Sequence, residues 1–343
     1  MATHGSNAPP DAWTRGGGTR FGAVRDSDEE LHGKVPEAGD SLTETWAYMF
    51  CAPASQLSAF VYIWAHPNLD LVTGGLTVWL GHKVHHLQAE LFDIRAFVSS
   101  HGRFAGNGRQ FTLGDGLEVS ILEPFRRMRV RYQDAARANC VDVTLTAAAP
   151  PAMRESCKHF EQMLDATGEV SLLGRQYSIN GYGTRDRSWG EPRAEDAYPL
   201  PPYTWMTGRF PSGLMWTGNA HDDPARRPEW LADYAVSPKD VFKDGWLYRD
   251  GELLRLRSFS KLTRRDPLTA RPVTHEINMT DAKGRDYAIR GEVISSLPWS
   301  GWPNMTCWIC CTRWEWSGEV GFGDTQEVQW SDFVRRYRRN DPR

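Results

Sequence analysis

The sequence predicts an all-β protein built as two successive β-barrel or sandwich domains, the second ending in a helix. Three observations lead there. Short segments that alternate apolar and polar residues recur along most of the 343-residue chain, as half-buried strands require. The 31 glycines and 21 prolines supply turns, and 15 tryptophans within an aromatic content of 12% supply the large flat side chains that sheets favour. Helical spacing is convincing only at the C-terminus, and the length sets a soft expectation of two domains.

Residues 1–40 read as a disordered arm, because Gly16-Gly17-Gly18 and the acidic run Asp26-Ser27-Asp28-Glu29-Glu30 carry no apolar period. The triple glycine is no phosphate loop, since no Gly-Lys-Ser/Thr follows it. From Thr43, the residues Trp46, Tyr48 and Phe50 alternate with Thr45, Ala47 and Met49 as a strand does. Further strands are expected at 59–65, 76–80, 117–122, 128–132 and 141–146. In the second half they fall at 169–173, 176–181, 204–210, 214–217, 245–249 and 253–259. Segments 274–279 and 287–294 form a hairpin around Asp281-Ala282-Lys283-Gly284, whose glycine suits a positive-φ position. A long aromatic strand follows at 306–316. Over 330–338, Trp330, Phe333, Val334 and Tyr337 share one helical face, with Ser331 placed to cap it. The proline-rich, charged stretch 191–203 is the linker, giving an N-terminal domain over 41–192 and a C-terminal domain over 200–343. So many short strands exclude a doubly wound nucleotide-binding fold.

Composition removes other classes. Forty Lys plus Arg against 43 Asp plus Glu leave a net charge of −3, without the basic excess that nucleic-acid phosphates require. No apolar run approaches the roughly 18 residues of a spanning helix, so no transmembrane segment is expected. The polar, glycine-rich start lacks the apolar segment of a secretory signal, which implies a cytoplasmic location and six reduced cysteines.

The densest polar cluster runs from Ile179 to Gly190 as Ile-Asn-Gly-Tyr-Gly-Thr-Arg-Asp-Arg-Ser-Trp-Gly. Gly181 and Gly183 leave one strand face bare for a close approach. Asp186 points opposite to Arg185 and Arg187 and shares a face with Tyr182, Thr184 and Ser188. Structurally the cluster is an ion-pair network at a strand end; functionally it is the polar centre of a ligand cavity.

This segment resembles the signature of the AttH and carotenoid hydratase (CrtC, hydroxyneurosporene synthase) superfamily, usually Gly-x-Gly-x-Arg-Asp-His-Ser-Trp-Gly in bacterial members. His159-Phe160-Glu161-Gln162 is similar to the His/Tyr-Glu-Gln element that commonly precedes it. Gly321-Phe322-Gly323 with Glu327 and Trp330 is similar to the closing Gly-Tyr-Gly…Glu segment. The likeness spans about 160 to 330; over 40–150 it rests on strand order and the Trp46/Tyr48 start. Arg187 stands where the family usually has His, so any acid or base role of that His is lost, arginine staying protonated. The resemblance implies two tandem lipocalin-like β-barrel domains with a cavity in or between them. Its characterised members include a hydratase of isolated carotenoid double bonds and cyclases of the Diels–Alderase type, which need no nucleotide or metal.

Hydrating an unactivated alkene needs a strong acid at carbon, then capture of a tertiary cation by water. A buried carboxyl with a raised pKa suits the first step, and tryptophan faces suit the cation. The candidate catalytic carboxyls are Asp186, Glu161 and Glu315. Asp186 leads by motif, although flanking arginines, if close, favour its ionised form. Glu315, between Trp314 and Trp316, has the more apolar neighbours in sequence. The substrate-binding candidates are Trp46, Tyr48, Trp64, Tyr182, Arg185, Trp189, Trp205, Trp314, Trp316 and His159. The expected function is a cofactor-independent hydratase, cyclase or isomerase acting on a hydrophobic terpenoid, steroid-like or polyketide-derived molecule, with a homodimer allowed. Its rivals are a non-catalytic carrier, which the same pocket would serve, and a carbohydrate-active β-sandwich with two carboxyls about 5–10 Å apart.

Other motifs have simpler readings. On a strand His82 and His86 would share a face and His85 would not, and no carboxylate at ligand spacing supports a metal site. His275-Glu276 lacks a second His four residues after the first. Cys307-x-x-Cys310-Cys311 reads as buried thiols, since its residues split between two strand faces. Arg127, Arg129 and Arg131 share a solvated face or bind an acidic headgroup, and Arg335, Arg336, Arg338 and Arg339 form an exposed helix end.

Overall fold

The period-two segments fold into two antiparallel sheets in a computed structural model that describes residues 24–114, 116–192, 200–226, 234, 236–302 and 304–339. The first sheet comprises β1 (Leu42–Ala52), β2 (Leu57–His66), β3 (Leu71–Leu80), β4 (Leu91–Ser99), β5 (Phe104–Ala105) and β6 (Gln110–Leu113). It continues through β7 (Leu117–Glu123), β8 (Arg127–Asp134), β9 (Asn139–Ala147), β10 (Ala152–Met153), β11 (His159–Leu172) and β12 (Arg175–Pro192). Its order is β4-β3-β2-β1-β12-β11-β9-β8-β7-β6-β5, with β10 added on β11. The second sheet comprises β13 (Tyr203–Arg209), β14 (Met215–His221), β15 (Phe242–Arg249) and β16 (Glu252–Arg265), then β17 (Pro272–Asp281), β18 (Asp286–Trp299), β19 (Met305–Trp316) and β20 (Glu319–Trp330). These eight strands close into a barrel, preceded at β15 by the single-turn helix α1 (Pro238–Val241) and followed by α2 (Ser331–Arg339). The all-β expectation holds, with a curled open sheet as the first half and a closed barrel as the second.

Three cores hold the molecule. Trp46, Tyr48, Phe50, Val61, Leu76, Val130, Val143 and Leu164 fill the curl of the first sheet. Met206, Trp216, Phe259, Ile277, Ile289 and Trp314 fill one part of the barrel. The outer faces of the two sheets meet in a seam, where Met49, Phe60, Tyr62, Trp64, Trp79 and Tyr182 pack on Leu297, Trp299, Cys307, Ile309 and Cys311. Strand β1 is therefore buried on both faces, its even residues in the curl and its odd ones in the seam. The bare face at Gly181 admits the β1 backbone, since a Cβ there would stand 1.9 Å from the Cys51 carbonyl oxygen.

Several expectations change. Segments 169–173 and 176–181 are the joined ends of the long hairpin β11–β12. Strand β4 escaped notice because it is an edge that buries little and so lacks alternation. Residues 1–23 of the arm lie outside the described residues, but from Val24 the chain is ordered. It forms short 3-10 turns at Asp26–Glu29 and Pro36–Ala38, and Glu29 is fully buried. Most of the linker, 193–199, also lies outside the described residues.

His82 and His86 do not share a strand face: His82 bridges to Ser296 after β3, His86 opens a 3-10 turn and His85 caps it. Cys307, Cys310 and Cys311 are buried free thiols, as expected. Arg129 grips Asp142 bidentately on the outer face of β8, beside Arg131, whose partner is Glu118. The terminal helix packs Phe333, Val334 and Tyr337 inward and starts at Ser331 itself, whose N–H donates to the Asn304 carbonyl. No helix among the described residues is long and apolar enough to cross a membrane.

Candidate functional site

Alternation along β12 sorts its charged residues onto two faces. Arg185 and Arg187 point into the curl. Arg185 donates through both terminal nitrogens to Glu29, at 2.9 and 2.8 Å, and through Nε to Gln162 at 2.9 Å. Glu29 also accepts from the Phe125 N–H at 2.7 Å. Arg187 donates to Glu44 at 2.7 Å and lies 3.9 Å from the Trp46 ring centroid. Burial pushes Glu44 upward, but His32 and Arg187 outweigh it and hold the carboxyl below its ordinary value. The ion-pair network foreseen around Asp186 thus belongs to its neighbours.

Asp186 itself faces the seam. Its direct cross-strand neighbour on β11 is Glu161, and two adjacent like charges repel unless cations intervene. His159 Nε2 lies 2.8 Å from Asp186 Oδ2 and 3.5 Å from Glu161 Oε1. Arg154 pairs with Glu161 from the other side. The barrel completes the cluster: Asn219 Nδ2 (β14) donates to Glu161 Oε1 at 3.3 Å and Trp246 Nε1 (β15) to Oε2 at 3.2 Å. Both sheets are needed to build this site. Its rim is partly open, with side-chain exposures of 24% at Arg154, 21% at Asp186 and 17% at His159, whereas Glu161 retains 2%.

The electrostatics follow from this packing. Burial raises the Glu161 carboxyl, but Arg154 and His159 more than reverse it and hold the group well below the usual carboxylate range. Burial and Arg154 lower His159, but the Asp186 and Glu161 carboxylates outweigh them and raise it above its ordinary value. The two carboxylates beside it therefore favour the protonated form of the imidazole. His159, Glu161 and Asp186 also offer ligand atoms within 4.8 Å of one another. A divalent cation would have to displace the imidazole proton and compete with Arg154 for Glu161, so the set fits a proton better than a metal.

A further carboxyl in the seam, beyond Glu161 and Asp186, escaped the sequence reading. Asp324 on β20 follows Gly321-Phe322-Gly323 and accepts from Thr184 Oγ1 at 2.7 Å and Thr207 Oγ1 at 2.6 Å. Burial pushes its pKa up to about 6, because only neutral donors answer it. Its motif was visible; its burial against β12 was not.

The predicted binding residues disperse. Only His159 joins Glu161 and Asp186. Trp46, Tyr48 and Arg185 lie in the curl, Trp314 inside the barrel, and Trp316 at its rim beside Phe210 and Tyr287. Trp189 packs with Val24, Phe125, Met153 and Phe160. Trp64 and Tyr182 line the apolar flank of the seam, and Trp205 stands opposite Asn219 on the neighbouring strand. Glu315 is exposed (59%) and paired with Arg313. Its tryptophan neighbours in sequence point to the other face of β19, so its apolar setting was an artefact of adjacency. It lines an outer groove of about 640 Å³ with Glu276, Asn278 and Arg290, on the face turned away from the barrel interior.

The model of a family described as "Domain of unknown function (DUF7064)" matches residues 25–332. No curated protein matches the sequence. Among solved structures, the chain is similar to an AttH protein of Nitrosomonas europaea, with a TM-score of 0.58, 13% identity, and coverage of 87% of this chain and 95% of that one. It is similar also to CghA, solved with Sch210972, with a TM-score of 0.53, 13% identity, and coverage of 85% and 89%. Kievitone hydratase from Nectria haematococca gives a TM-score of 0.49 at 10% identity, covering 84% and 89%. The first two bear out the AttH and carotenoid hydratase-like resemblance at the level of fold.

Proposed function

The chain belongs to the DUF7064 family, and from that premise we propose that it is an enzyme of the hydratase, cyclase or isomerase type acting on a hydrophobic molecule bound at the seam between its two sheets. The observation that carries this reading is the His159 imidazole held 2.8 Å from Asp186 and 3.5 Å from Glu161 where the two sheets meet. Shared fold with CghA, a protein solved with Sch210972, supports the substrate class without identifying the molecule. A carrier of an apolar ligand gains nothing from gathering four charged groups around buried Glu161, whereas proton transfer uses them.

The acid strength narrows the chemistry. An imidazolium with a raised pKa is a weaker acid than a free one and does not protonate an isolated alkene, but it suits a double bond polarised by a carbonyl or a hydroxyl. In this scheme His159 gives its proton to the polarised substrate, ionised Glu161 stabilises the charge, and the Asp186 carboxylate takes a proton from water or from an adjacent carbon and returns it to His159. Water is then added, or the double bond moves with no net change. Arg154 keeps Glu161 ionised, and the aromatic flank of Tyr62, Trp64 and Trp299 excludes water from the apolar part.

Native mass spectrometry of protein purified from its own host, with identification of the released molecule, tests the proposal. The expected result is an apolar ligand that is isomerised or gains one water on incubation, with the conversion lost in Glu161→Gln and His159→Gln. A ligand returned unchanged after days would establish a carrier instead.

A further inference from the structure

The floor of the seam holds polar atoms that the charged cluster leaves unused. Asn219, 1% exposed, gives its Nδ2 to Glu161, and this fixes the amide's orientation because a carboxylate accepts only from the nitrogen. Its Oδ1 has no hydrogen-bond partner among the described residues. Directly across the strand pair stands Trp205, 7% exposed, whose Nε1–H is also buried without a partner. The register and the alternation of β13 and β14 place both side chains on the barrel face that meets Glu161. A buried donor and a buried acceptor thus stand on neighbouring strands, each without a protein partner among the described residues.

We propose that Trp205 and Asn219 recognise a hydroxyl group on the hydrophobic substrate: its oxygen accepts from Trp205 Nε1–H and its proton is donated to Asn219 Oδ1. This inference rests on the seam reading given under Proposed function. A hydroxyl is the small neutral group that both accepts and donates. A ketone answers Trp205 alone, a hydrocarbon answers neither, and a carboxylate is repelled by ionised Glu161, to which Asn219 is bonded. The substrate class is therefore an apolar alcohol or phenol. The hydroxyl also sits beside the group that must polarise the substrate, which ties recognition to chemistry.

The test compares 2-naphthol, naphthalene and 2-naphthoate as probes of the full-length protein, followed by energy transfer from tryptophan. The expected order is 2-naphthol at least 10-fold tighter than naphthalene, with 2-naphthoate weakest, because a site built for a hydroxyl discriminates against ligands lacking one. In Asn219→Leu and, as an independent variant, Trp205→Phe, the advantage of 2-naphthol should fall below 3-fold while naphthalene affinity stays within 2-fold. Equal affinity of the wild-type protein for naphthalene and 2-naphthol would overturn the hydroxyl site and leave the seam reading standing. Binding of none of the three probes would overturn both.

Discussion

The two sheets bury charge differently. In the closed barrel, Arg265 bridges Asp222 and Glu327, Lys261 adds a second cation on Asp222, and Gln329 donates to Glu327. Every member comes from a barrel strand or from the residue that follows β14. Burial raises Asp222, but Arg265 and Lys261 outweigh it and keep the carboxyl below its ordinary range. His275, beside them, is pushed down to about 3 by burial and by the Lys261 and Arg265 charges, and so stays neutral. The curled sheet is only partly self-sufficient, since Arg187 on β12 finds Glu44 on the neighbouring β1. Its Arg185 is neutralised by Glu29, which precedes the first strand altogether. The closed wall finds its counter-charges across its own interior, whereas the open sheet borrows one of its own, Glu29, from a segment outside it.

Breaking each network should expose that difference. Glu29→Ala leaves the Arg185 guanidinium buried without a carboxylate and should cost about 3–5 kcal/mol in urea unfolding. Lys261→Met leaves Asp222 still gripped by Arg265 and should cost less than about 2 kcal/mol. Equal losses would erase the contrast. The pair Glu29→Leu with Arg185→Met should recover most of the single-mutant loss, since an apolar pair carries no unpaired charge.

The seam provides smaller, pH-dependent effects. Asp324 has a folded pKa of about 6 against 3.8 unfolded, so its contribution is complete below pH 3.8 and declines as pH rises through 6. Asp324→Asn should therefore stabilise the protein by about 1–3 kcal/mol at pH 7.5 and by nothing near pH 3.8, measured as paired urea midpoints. His159, also raised, contributes fully below about pH 6.5 and progressively less above it. His159→Gln should flatten the stability profile on the alkaline side of that point, and the wild-type imidazole should titrate above about 6.5 by NMR. Smallest of all, Glu315→Gln should change stability by no more than about 0.5 kcal/mol, because its pair with Arg313 is exposed.

What the sequence disclosed follows from range. Alternation is local, so the strands from Trp46 onward, the hairpin at Asp281–Gly284 and the opposition of Asp186 to its flanking arginines were all legible. So was the fold, through the motif around Gly181–Gly190. Partnership across the chain was not legible. The acidic run at Asp26–Glu30 read as solvated because its partner Arg185 lies 156 residues further on. The tryptophans looked like one pocket because composition carries no faces; alternation placed Trp314 inside the barrel, Trp46 in the curl and Trp64 in the seam. Glu161 and Asp186 were both foreseen, but their adjacency depends on the β11–β12 register, and Asn219 and Trp246 reach them only once the barrel has closed.

The Glu29–Arg185 clasp also has a temporal meaning. Glu29 leaves the ribosome 156 residues before its partner, an interval of roughly 10–30 s at ordinary elongation rates. Throughout that time the segment around it cannot take its final place, and β1 lacks the strand that pairs its other edge. The first sheet is therefore completed late and at its middle, when β12 arrives between β1 and β11 carrying both the missing strand and the cation that seats the segment before β1.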